Sequence, residues 1–200
     1  MVETRRQQIE NAASVLFRER GYTATSVRDI AQVLNLQGAS LYAHVASKED
    51  LLWSIVVRAA DRFEAAVAPI AATETAAPQR LRAMVRAHIG VVTDDLGNAV
   101  SFLDEWRFLS SERRTEVASR RRRYERRFRR VISQGVASGD FAAGTDARLA
   151  ATWMLSALNG IAVWYRPDGE FGPDAIAYRY ADLFLGGLTC PPDPPRRTDP

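Results

Sequence analysis

Apolar side chains recur with helical spacing along almost the whole chain. In the first segment, Ile9, Ala13 and the pair Leu16-Phe17 follow an i, i+4, i+7, i+8 pattern, which puts them on one face of a helix. No stretch long enough for a strand alternates between apolar and polar side chains in a convincing way. The pattern therefore predicts an all-α protein with about nine helices.

Capping residues and helix breakers set the expected helix ends. Gly21 ends the first helix, and Ser26 with Asp29 three residues later resembles a capping box that opens the second. A turn at 35–38 separates this helix from the next. The remaining patterns predict helices over about 39–45, 48–71, 78–96, 100–109, 112–137, 146–165 and 173–188, with Gly97-Asn98 as the break between two of them.

Composition excludes several classes of protein. A hydrophobic fraction of 46% and a charged fraction of 26% are typical of a globular chain and not of a disordered one. Cys190 is the only cysteine, so neither a disulfide framework nor a multi-cysteine metal site is expected. The longest uncharged run, 149–165, is shorter than the roughly 20 residues that span a bilayer, and it carries Thr152, Ser156 and Asn159. With no signal peptide visible, we expect a cytoplasmic protein without membrane contact, metal or cofactor.

The segment from Thr25 to Leu52 holds the clearest functional pattern. Two short helices around a turn of about three to four residues form a helix-turn-helix, whose second helix suits the DNA major groove, roughly 12 Å wide. Free backbone N–H groups near Thr25 and Ser26 could meet a phosphate. We predict a DNA-binding domain over 1–47, a second domain over 48–189 and a disordered, proline-rich tail over 190–200.

The same segment closely resembles the TetR family of bacterial transcriptional regulators. The resemblance covers about residues 5–55 and rests on Gly21-Tyr22, Thr25–Ala31, Leu41–Val45 and Ser47–Leu52. It implies phosphate contacts by Arg28, Tyr42, His44 and Lys48, with Gln37, Ser40 and Ala43 near base edges. The full set of DNA-binding candidates is Thr25, Ser26, Arg28, Gln37, Gly38, Ala39, Ser40, Tyr42, His44 and Lys48.

One position departs from the family pattern. Many relatives carry a long polar side chain where this chain has Gly38, and glycine has no side chain with which to read a base. The neighbouring Gln37 is therefore the better candidate for base recognition, because its carboxamide can pair bidentately with adenine. The identity of the bases that are read stays open.

Arginine is concentrated outside the helix-turn-helix. Lys48 is the only lysine among 27 basic residues, and the segment 111–130 holds ten arginines against three acids. One interpretation is a solvated helix whose arginines pair with acids elsewhere in the chain. Another is a site for an anionic ligand, to which a guanidinium fork is well suited. A second nucleic-acid surface is a third interpretation.

Three stretches of the C-terminal half resemble one branch of the family, namely Asp104-Glu105, 134–141, and 164–169 with 185–188. That branch regulates lipid and steroid breakdown, and several of its members respond to acyl-CoA thioesters. The resemblance implies a small-molecule effector, with an acyl-CoA as one candidate and a hydrophobic, non-CoA ligand of an efflux or drug-response regulator as the alternative. The candidate ligand residues, each of which also suits an ordinary core, are His88, Phe102, Trp106, Tyr124, Phe128 and Trp153.

The last two helices carry apolar stripes that suit a dimer interface. Two such helices from each subunit would form an isologous four-helix bundle, although a larger monomer core is the alternative. A homodimer would place two reading helices about 34–36 Å apart, or modestly more, on a palindromic operator. The candidate interface residues are Met154, Ala157, Leu158, Ile161, Tyr180 and Phe184.

These patterns together predict a dimeric, ligand-responsive transcription factor that acts on double-stranded DNA, with repression as the expected mode. An enzyme is disfavoured, because the chain has only two histidines and lacks a nucleophile elbow, a P-loop and a dinucleotide fingerprint. An RNA-binding or helical interaction module built around the arginine-rich helix is the other competing class.

Overall fold

The computed structural model describes residues 4–189 of the chain. These residues form nine α-helices and one 3₁₀ turn, joined by loops, with no strand. The all-α prediction is confirmed. The elements are α1 (Arg5–Arg20), α2 (Val27–Val33), α3 (Gly38–Tyr42), α4 (Lys48–Ala71), α5 (Ala77–Asp94), α6 (Leu96–Leu103), the 3₁₀ turn (Glu105–Phe108), α7 (Ser111–Ser138), α8 (Ala147–Trp164) and α9 (Pro173–Thr189). The predicted proline-rich tail, which includes Cys190, lies outside the described residues.

The helix ends follow local signals in the sequence. Ser26 Oγ accepts a hydrogen bond from the Asp29 N–H at 3.2 Å, and the Asp29 carboxylate accepts one from the Ser26 N–H at 2.7 Å, which completes the expected capping box of α2. Gly21 ends α1 at a φ of 82°, a positive value that glycine adopts without steric cost. Its N–H donates to the carbonyl oxygen of Phe17 at 2.9 Å and so closes the last turn of α1.

The region around Gly97 differs from the prediction. Gly97 and Asn98 do not break a helix but lie in the first turn of α6, where the Asp95 carboxylate accepts a hydrogen bond from the Asn98 N–H at 3.1 Å. A Cβ on residue 97 would lie 3.0 Å from the backbone of Ser14, so glycine at this position lets α6 pack directly on α1. The single helix expected over 100–109 is instead the end of α6 followed by the 3₁₀ turn.

The long helix α4 joins the two parts of the molecule. Helices α1–α3 form the head, the helices from α4 onward form the body, and α4 packs against α1, α5, α6 and α7. Within the body, α5 packs against α9, and α7 packs against α8. The residues that α4 buries are Leu51, Leu52, Ile55, Val56, Ala59, Ala60, Phe63 and Val67. Among residues 4–189, no helix has the length and apolar character needed to cross a membrane.

A single guanidinium group joins α1, α4 and α6. Arg58 of α4 donates to the Glu10 carboxylate at 2.7 Å and to the Asn11 carboxamide oxygen at 2.8 Å, both on α1. It also donates to the carboxamide oxygen of Asn98 on α6 at 3.0 Å. The Glu10 side chain is only 8% exposed, so its charge depends on Arg58 and on Arg6, which donates to it at 3.1 Å.

We predict that replacing Arg58→Met will lower the free energy of unfolding by about 2 kcal/mol, because the buried Glu10 carboxylate loses its main counter-charge. The matched control is Arg86→Met, since the Arg86–Asp174 pair is mostly exposed and should contribute less than about 1 kcal/mol. Urea unfolding of the two variants and of the unchanged protein measures both effects. Equal losses in the two variants would contradict the prediction.

Candidate nucleic-acid interface and ligand cavity

The head presents polar side chains that are not used for internal bonds. Arg28 on α2 and Ser40 on α3 are exposed, and Tyr42 is 56% exposed. His44 is exposed just after α3. The side chain of Gln37 makes no capping bond, although its carbonyl oxygen accepts from the Ser40 N–H at 2.9 Å. These groups are therefore available to a ligand outside the head.

The recognition helix is shorter than the sequence suggested. α3 ends at Tyr42 rather than at residue 45, and Gly38 and Ala39 occupy its first two positions. Leu41 and Val45 are buried and fix α3 against the rest of the head. The predicted base contacts from the start of α3 stay predictions.

Thr25 was predicted to contact DNA, but in the structure it is buried. It is only 1% exposed, and its hydroxyl donates to the carbonyl oxygens of Gly21 at 2.9 Å and Leu16 at 3.3 Å. Its N–H donates to the carbonyl oxygen of Tyr22 at 3.2 Å. The prediction that Thr25 meets a phosphate is therefore wrong, because both donors are used to hold the connection between α1 and α2. Ser26 is exposed and could still meet a phosphate while it caps α2.

The single lysine holds the head against the start of α4. Lys48 Nζ donates to the carbonyl oxygens of Tyr22 and Thr25, at 2.9 Å each, and lies 4.1 Å from the centre of the Tyr22 ring. Partial burial lowers the pKa of Lys48 from its ordinary value. One of its three N–H donors stays unused by these bonds, so a phosphate contact remains a prediction.

The 3₁₀ turn of the body contacts the same connection in the head. The Tyr22 ring stacks on Phe108 with a centroid distance of 5.5 Å, and the Tyr22 N–H donates to the Glu105 carboxylate at 3.4 Å. Glu105 is buried even though it carries a carboxylate. The position of the 3₁₀ turn and the position of the head are therefore linked through Tyr22.

A cavity of about 200 Å³ opens in the body. Phe63 and His88, each about 1% exposed, lie at its closed end, whereas Arg122 and Ser156 are exposed and lie at its open end. The lining residues are Phe63, His88, Phe102, Leu103, Arg121, Arg122, Tyr124, Glu125, Thr152, Leu155, Ser156 and Asn159. They come from α4, α5, α6, α7 and α8, so the cavity is built between helices as ligand sites in helical proteins often are.

His88 is neutral, and only one of its two ring nitrogens has a hydrogen-bond partner within residues 4–189. Its Nδ1 lies 2.9 Å from the Tyr124 hydroxyl, while its Nε2 is buried and has no hydrogen-bond partner among residues 4–189. Burial lowers the pKa of His88 to about 3, so the ring is uncharged at neutral pH. Burial, together with the negative charge of Glu64, raises the pKa of Tyr124. A neutral imidazole next to a hydroxyl can either donate or accept a further hydrogen bond.

Three of the six predicted ligand residues line this cavity, and three do not. His88, Phe102 and Tyr124 line it. Phe128 is fully buried against the Tyr124 ring, at a centroid distance of 5.5 Å, and Trp106 packs beside the Arg121 guanidinium. Trp153 is 52% exposed and packs edge-on against Phe184. These three residues are not part of the cavity lining, and their contact with a ligand stays a prediction.

Several lining residues were missed by the sequence analysis. The polar stripe of α8 (Thr152, Ser156 and Asn159) recurs at i, i+4 and i+7 within the uncharged run 149–165. That spacing puts the three side chains on one face and was the available signal for a polar cavity wall. Phe63 and Arg121 carried no comparable signal, because each sits in a helix whose pattern suits core or solvent equally.

Arg121 connects the cavity wall to the end of α6. Its guanidinium donates to the carbonyl oxygens of Phe102 at 3.0 Å and Leu103 at 3.1 Å. The guanidinium carbon lies 5.4 Å from the ring centres of both Phe102 and Trp106. Burial lowers the pKa of Arg121, but an arginine stays charged in proteins. The group therefore holds the last turn of α6, immediately before the 3₁₀ turn, against α7.

Eight of the ten arginines of α7 fall into two sets, while Arg114 and Arg121 donate to backbone carbonyl oxygens. Arg113, Arg120 and Arg127 pair with acids of α4, as the solvated-helix interpretation expects. A second set makes no hydrogen bond or ion pair with the described residues and falls within an arc of about 120° on the outer face of α7. We call this set the basic stripe, and it consists of Arg122, Arg123, Arg126, Arg129 and Arg130.

The predicted dimer residues are mostly core. Met154, Leu158 and Ile161 are fully buried within the chain, and Phe184 is nearly so, which corrects their assignment to an interface. Ala157 and Tyr180 are partly buried. Other large apolar side chains of α8 and α9 are exposed, namely Leu149, Trp153, Val163, Tyr178 and Leu183.

Models of two known protein families match the chain. Residues 9–55 match the family described as bacterial regulatory proteins, tetR family. Residues 74–188 match the family described as tetracyclin repressor-like, C-terminal domain. The first match covers the helix-turn-helix, and the second covers all the elements from α5 to α9.

Individual relatives agree with these matches over nearly their full lengths. The chain is 29% identical over 189 residues to the HTH-type transcriptional repressor KstR2 of Mycobacterium tuberculosis, which covers 94% of each chain. The TetR family transcriptional regulator PfmR of Thermus thermophilus is 36% identical with a TM-score of 0.83, over 90% of this chain and 98% of that one. AibR, in complex with isovaleryl coenzyme A and operator DNA, is 29% identical with a TM-score of 0.80, over 94% and 100%.

We predict that His88 makes stability depend on pH. The unfolded chain takes up a proton near the ordinary histidine pKa of 6.5, whereas folded His88 does not until about pH 3, so stability falls as the pH drops below 6.5. From pH 6.5 to 5.0 the free energy of unfolding should fall by about 1.5 kcal/mol because of this group. Urea unfolding at both pH values should show the fall in the unchanged protein and in His44→Leu but not in His88→Leu. The same fall in all three proteins would contradict the prediction.

Proposed function

The chain belongs to the TetR family of bacterial regulatory proteins, and we propose that it is a DNA-binding repressor whose hold on its operator is released by an acyl-CoA thioester. The observation that carries the proposal is a cavity with a buried end and with Arg122 at its open end, in the same chain as an exposed helix-turn-helix. Two relatives support it, since KstR2 is named a repressor and AibR was crystallised with isovaleryl coenzyme A and operator DNA.

The proposed regulator works as a homodimer in the cytoplasm and has no catalytic role. The exposed apolar face of α8 and α9 packs against the same face of a second copy, since so many large apolar side chains are rarely left in water. The pair of heads then meets two half-sites of a palindromic operator, about one DNA turn apart or modestly more. Residues 1–47 read the DNA, and residues 48–189 bind the effector and the second subunit.

Contacts in the head divide into phosphate and base contacts. Arg28, Tyr42, His44 and Lys48 supply affinity through the phosphates, and Gln37 and Ser40 supply sequence preference at the start of α3. Arg28 carries a full charge and makes no internal ion pair with the described residues, so its charge is available to a phosphate.

We predict that Arg28→Ala will weaken binding to all duplexes by a similar factor, because a phosphate contact carries no sequence information. The slope of log affinity against log salt concentration should become shallower by about one. Fluorescence anisotropy with a duplex selected by the protein, and with single-base variants of it, measures both quantities. Gln37→Ala is the comparison, and it should change the ranking of the duplexes. A changed ranking with Arg28→Ala would show that Arg28 reads a base.

The arginines at the mouth favour a CoA thioester over a hydrophobic ligand that lacks phosphates. Arg122 lines the open end of the cavity, and Arg126 and Arg129 of the basic stripe follow at successive helical turns, about 5 Å apart. These charges make no bond with the described residues, so phosphates can use them in full. A purely apolar effector would fill the cavity but leave this row of charges unused.

A chain of contacts links the cavity to the head. Arg121 lines the cavity and holds the last carbonyls of α6, which leads directly into the 3₁₀ turn. That turn contacts the head through the bond from Tyr22 to Glu105 and through Phe108. A ligand that displaces Arg121 therefore favours a different position of the head, and it shifts the population only by its difference in affinity for the two states.

The direct test of the proposed function is release of DNA by defined ligands. A duplex selected by the protein from a random library is labelled, bound, and titrated with hexanoyl-CoA, butanoyl-CoA, hexadecanoyl-CoA, free CoA and hexanoic acid. We expect at least one of the thioesters to dissociate the complex and expect neither free CoA nor hexanoic acid to do so. Dissociation by none of the thioesters would overturn the acyl-CoA assignment.

We predict that the double change Arg122→Gln and Arg126→Gln will weaken hexanoyl-CoA binding about tenfold, because two phosphate contacts are lost. Binding of hexanoyl-N-acetylcysteamine, a thioester without phosphates, should stay unchanged, and so should binding to DNA. Isothermal titration calorimetry measures the ligand affinities. Arg86→Gln, on the exposed side of α5, is the matched control. Equal weakening with both thioesters would show that the arginines support the fold rather than the phosphates.

A further inference from the structure

The closed end of the cavity holds a polar atom that the protein does not satisfy. His88 Nε2 is buried without a partner, although His88 otherwise packs against Phe63 at a centroid distance of 4.9 Å. Buried polar atoms in native proteins are usually hydrogen-bonded, because leaving one without a bond costs free energy. If the cavity bound only a hydrocarbon chain, an apolar residue at position 88 would make the protein more stable.

Most of the other uncharged polar groups of the lining already make hydrogen bonds within the protein. The Thr152 hydroxyl donates to the carbonyl oxygen of Arg148 at 3.0 Å, and the Ser156 hydroxyl donates to that of Thr152 at 2.8 Å. The Tyr124 hydroxyl is engaged with His88. The Asn159 carboxamide makes no hydrogen bond within residues 4–189, and it lines the cavity. Among the uncharged polar groups of the lining, His88 and Asn159 are therefore left for a ligand.

The cavity also limits the size of the ligand portion that enters it. A volume of about 200 Å³ holds roughly six or seven non-hydrogen atoms at the ~30 Å³ that a water-sized group occupies in a liquid. A short acyl group fills this space, whereas a long fatty chain or a fused-ring skeleton would extend beyond it. Because the basic stripe starts at the open end, the CoA portion stays outside and the far part of the acyl group reaches His88.

We infer that the effector is a short-chain acyl-CoA whose acyl group carries a hydroxyl or keto oxygen, which hydrogen-bonds to His88 and Asn159. The inference rests on the proposed acyl-CoA function and narrows it to one class of acyl group. The neutral His88–Tyr124 pair suits either oxygen, since the tautomer with a proton on Nε2 donates to a ketone and the other tautomer accepts from a hydroxyl.

The experiment compares acyl groups of one length that differ in a single oxygen. Calorimetry with the full-length protein measures the affinities of hexanoyl-CoA, of its 3-hydroxy, 5-hydroxy and 5-oxo derivatives, and of hexadecanoyl-CoA. We expect at least one oxygenated derivative to bind about tenfold more tightly than hexanoyl-CoA, as one well-made buried hydrogen bond provides. The hydroxy and oxo forms distinguish the two kinds of oxygen. We expect hexadecanoyl-CoA to bind more weakly than that derivative.

Variants separate recognition by His88 from general effects on the cavity. His88→Leu should reduce the preference for the oxygenated ligand to less than about threefold while hexanoyl-CoA still binds. His88→Gln keeps a polar group at a similar distance and should restore part of the preference. Leu155→Met changes the same wall without a polar group, so it should alter the affinities of both ligands by a similar factor. Unchanged DNA affinity in the absence of ligand shows that each variant is folded.

The outcomes distinguish this inference from the proposed function. If hexanoyl-CoA and hexadecanoyl-CoA bind as tightly as every oxygenated derivative, the inference is overturned and the acyl-CoA function stands. If the preference is present but survives in His88→Leu, the assignment to His88 is overturned. If no thioester binds while DNA binding is intact, the proposed effector class itself is wrong.

Discussion

The arrangement of the helices depends on the hydrogen bonds and the ion pair that the Arg58 guanidinium makes. One guanidinium satisfies a buried carboxylate of α1, a carboxamide of α1 and a carboxamide of α6. Because the buried Glu10 carboxylate is ion-paired with Arg58, moving α1 away from α4 would separate this buried pair. The close packing of Gly97 on Ser14 also holds α6 against α1, since a Cβ at residue 97 would collide with the backbone and the side chain of Ser14. The head is therefore fixed to the body at its base and linked to it again at Tyr22.

Most of the helical framework could be predicted because its signals are local. The capping box of Ser26 and Asp29, the positive φ at Gly21 and the spacing of apolar residues act over one or two turns. The errors come from contacts between distant segments. A glycine at position 97 suggests the end of a helix. In the structure, glycine is needed there because α1 packs too closely for a side chain. The exposed face of α8 could not be told from its buried face, because both carry large apolar side chains.

The candidate sites were predictable to different degrees for the same reason. The exposed candidates of the head follow from a family pattern in one continuous segment, yet Thr25 shows that a residue in the right register can point inward. The cavity draws on five helices that are far apart in sequence, so aromatic residues alone could not indicate which of them line it. The polar stripe of α8 was the informative feature, because polar side chains at helical spacing within an apolar segment require a polar environment.

The cationic groups that connect the parts of this chain are almost all guanidinium groups. Arg58 joins three helices, Arg113 and Arg127 join α7 to α4, and Arg121 joins the cavity to α6. A guanidinium group keeps its charge throughout the physiological range, and the buried imidazole of His88 stays uncharged there as well. In the folded protein, small changes in cellular pH therefore leave the charges of these connecting groups unchanged. The response to an effector does not depend on such pH changes.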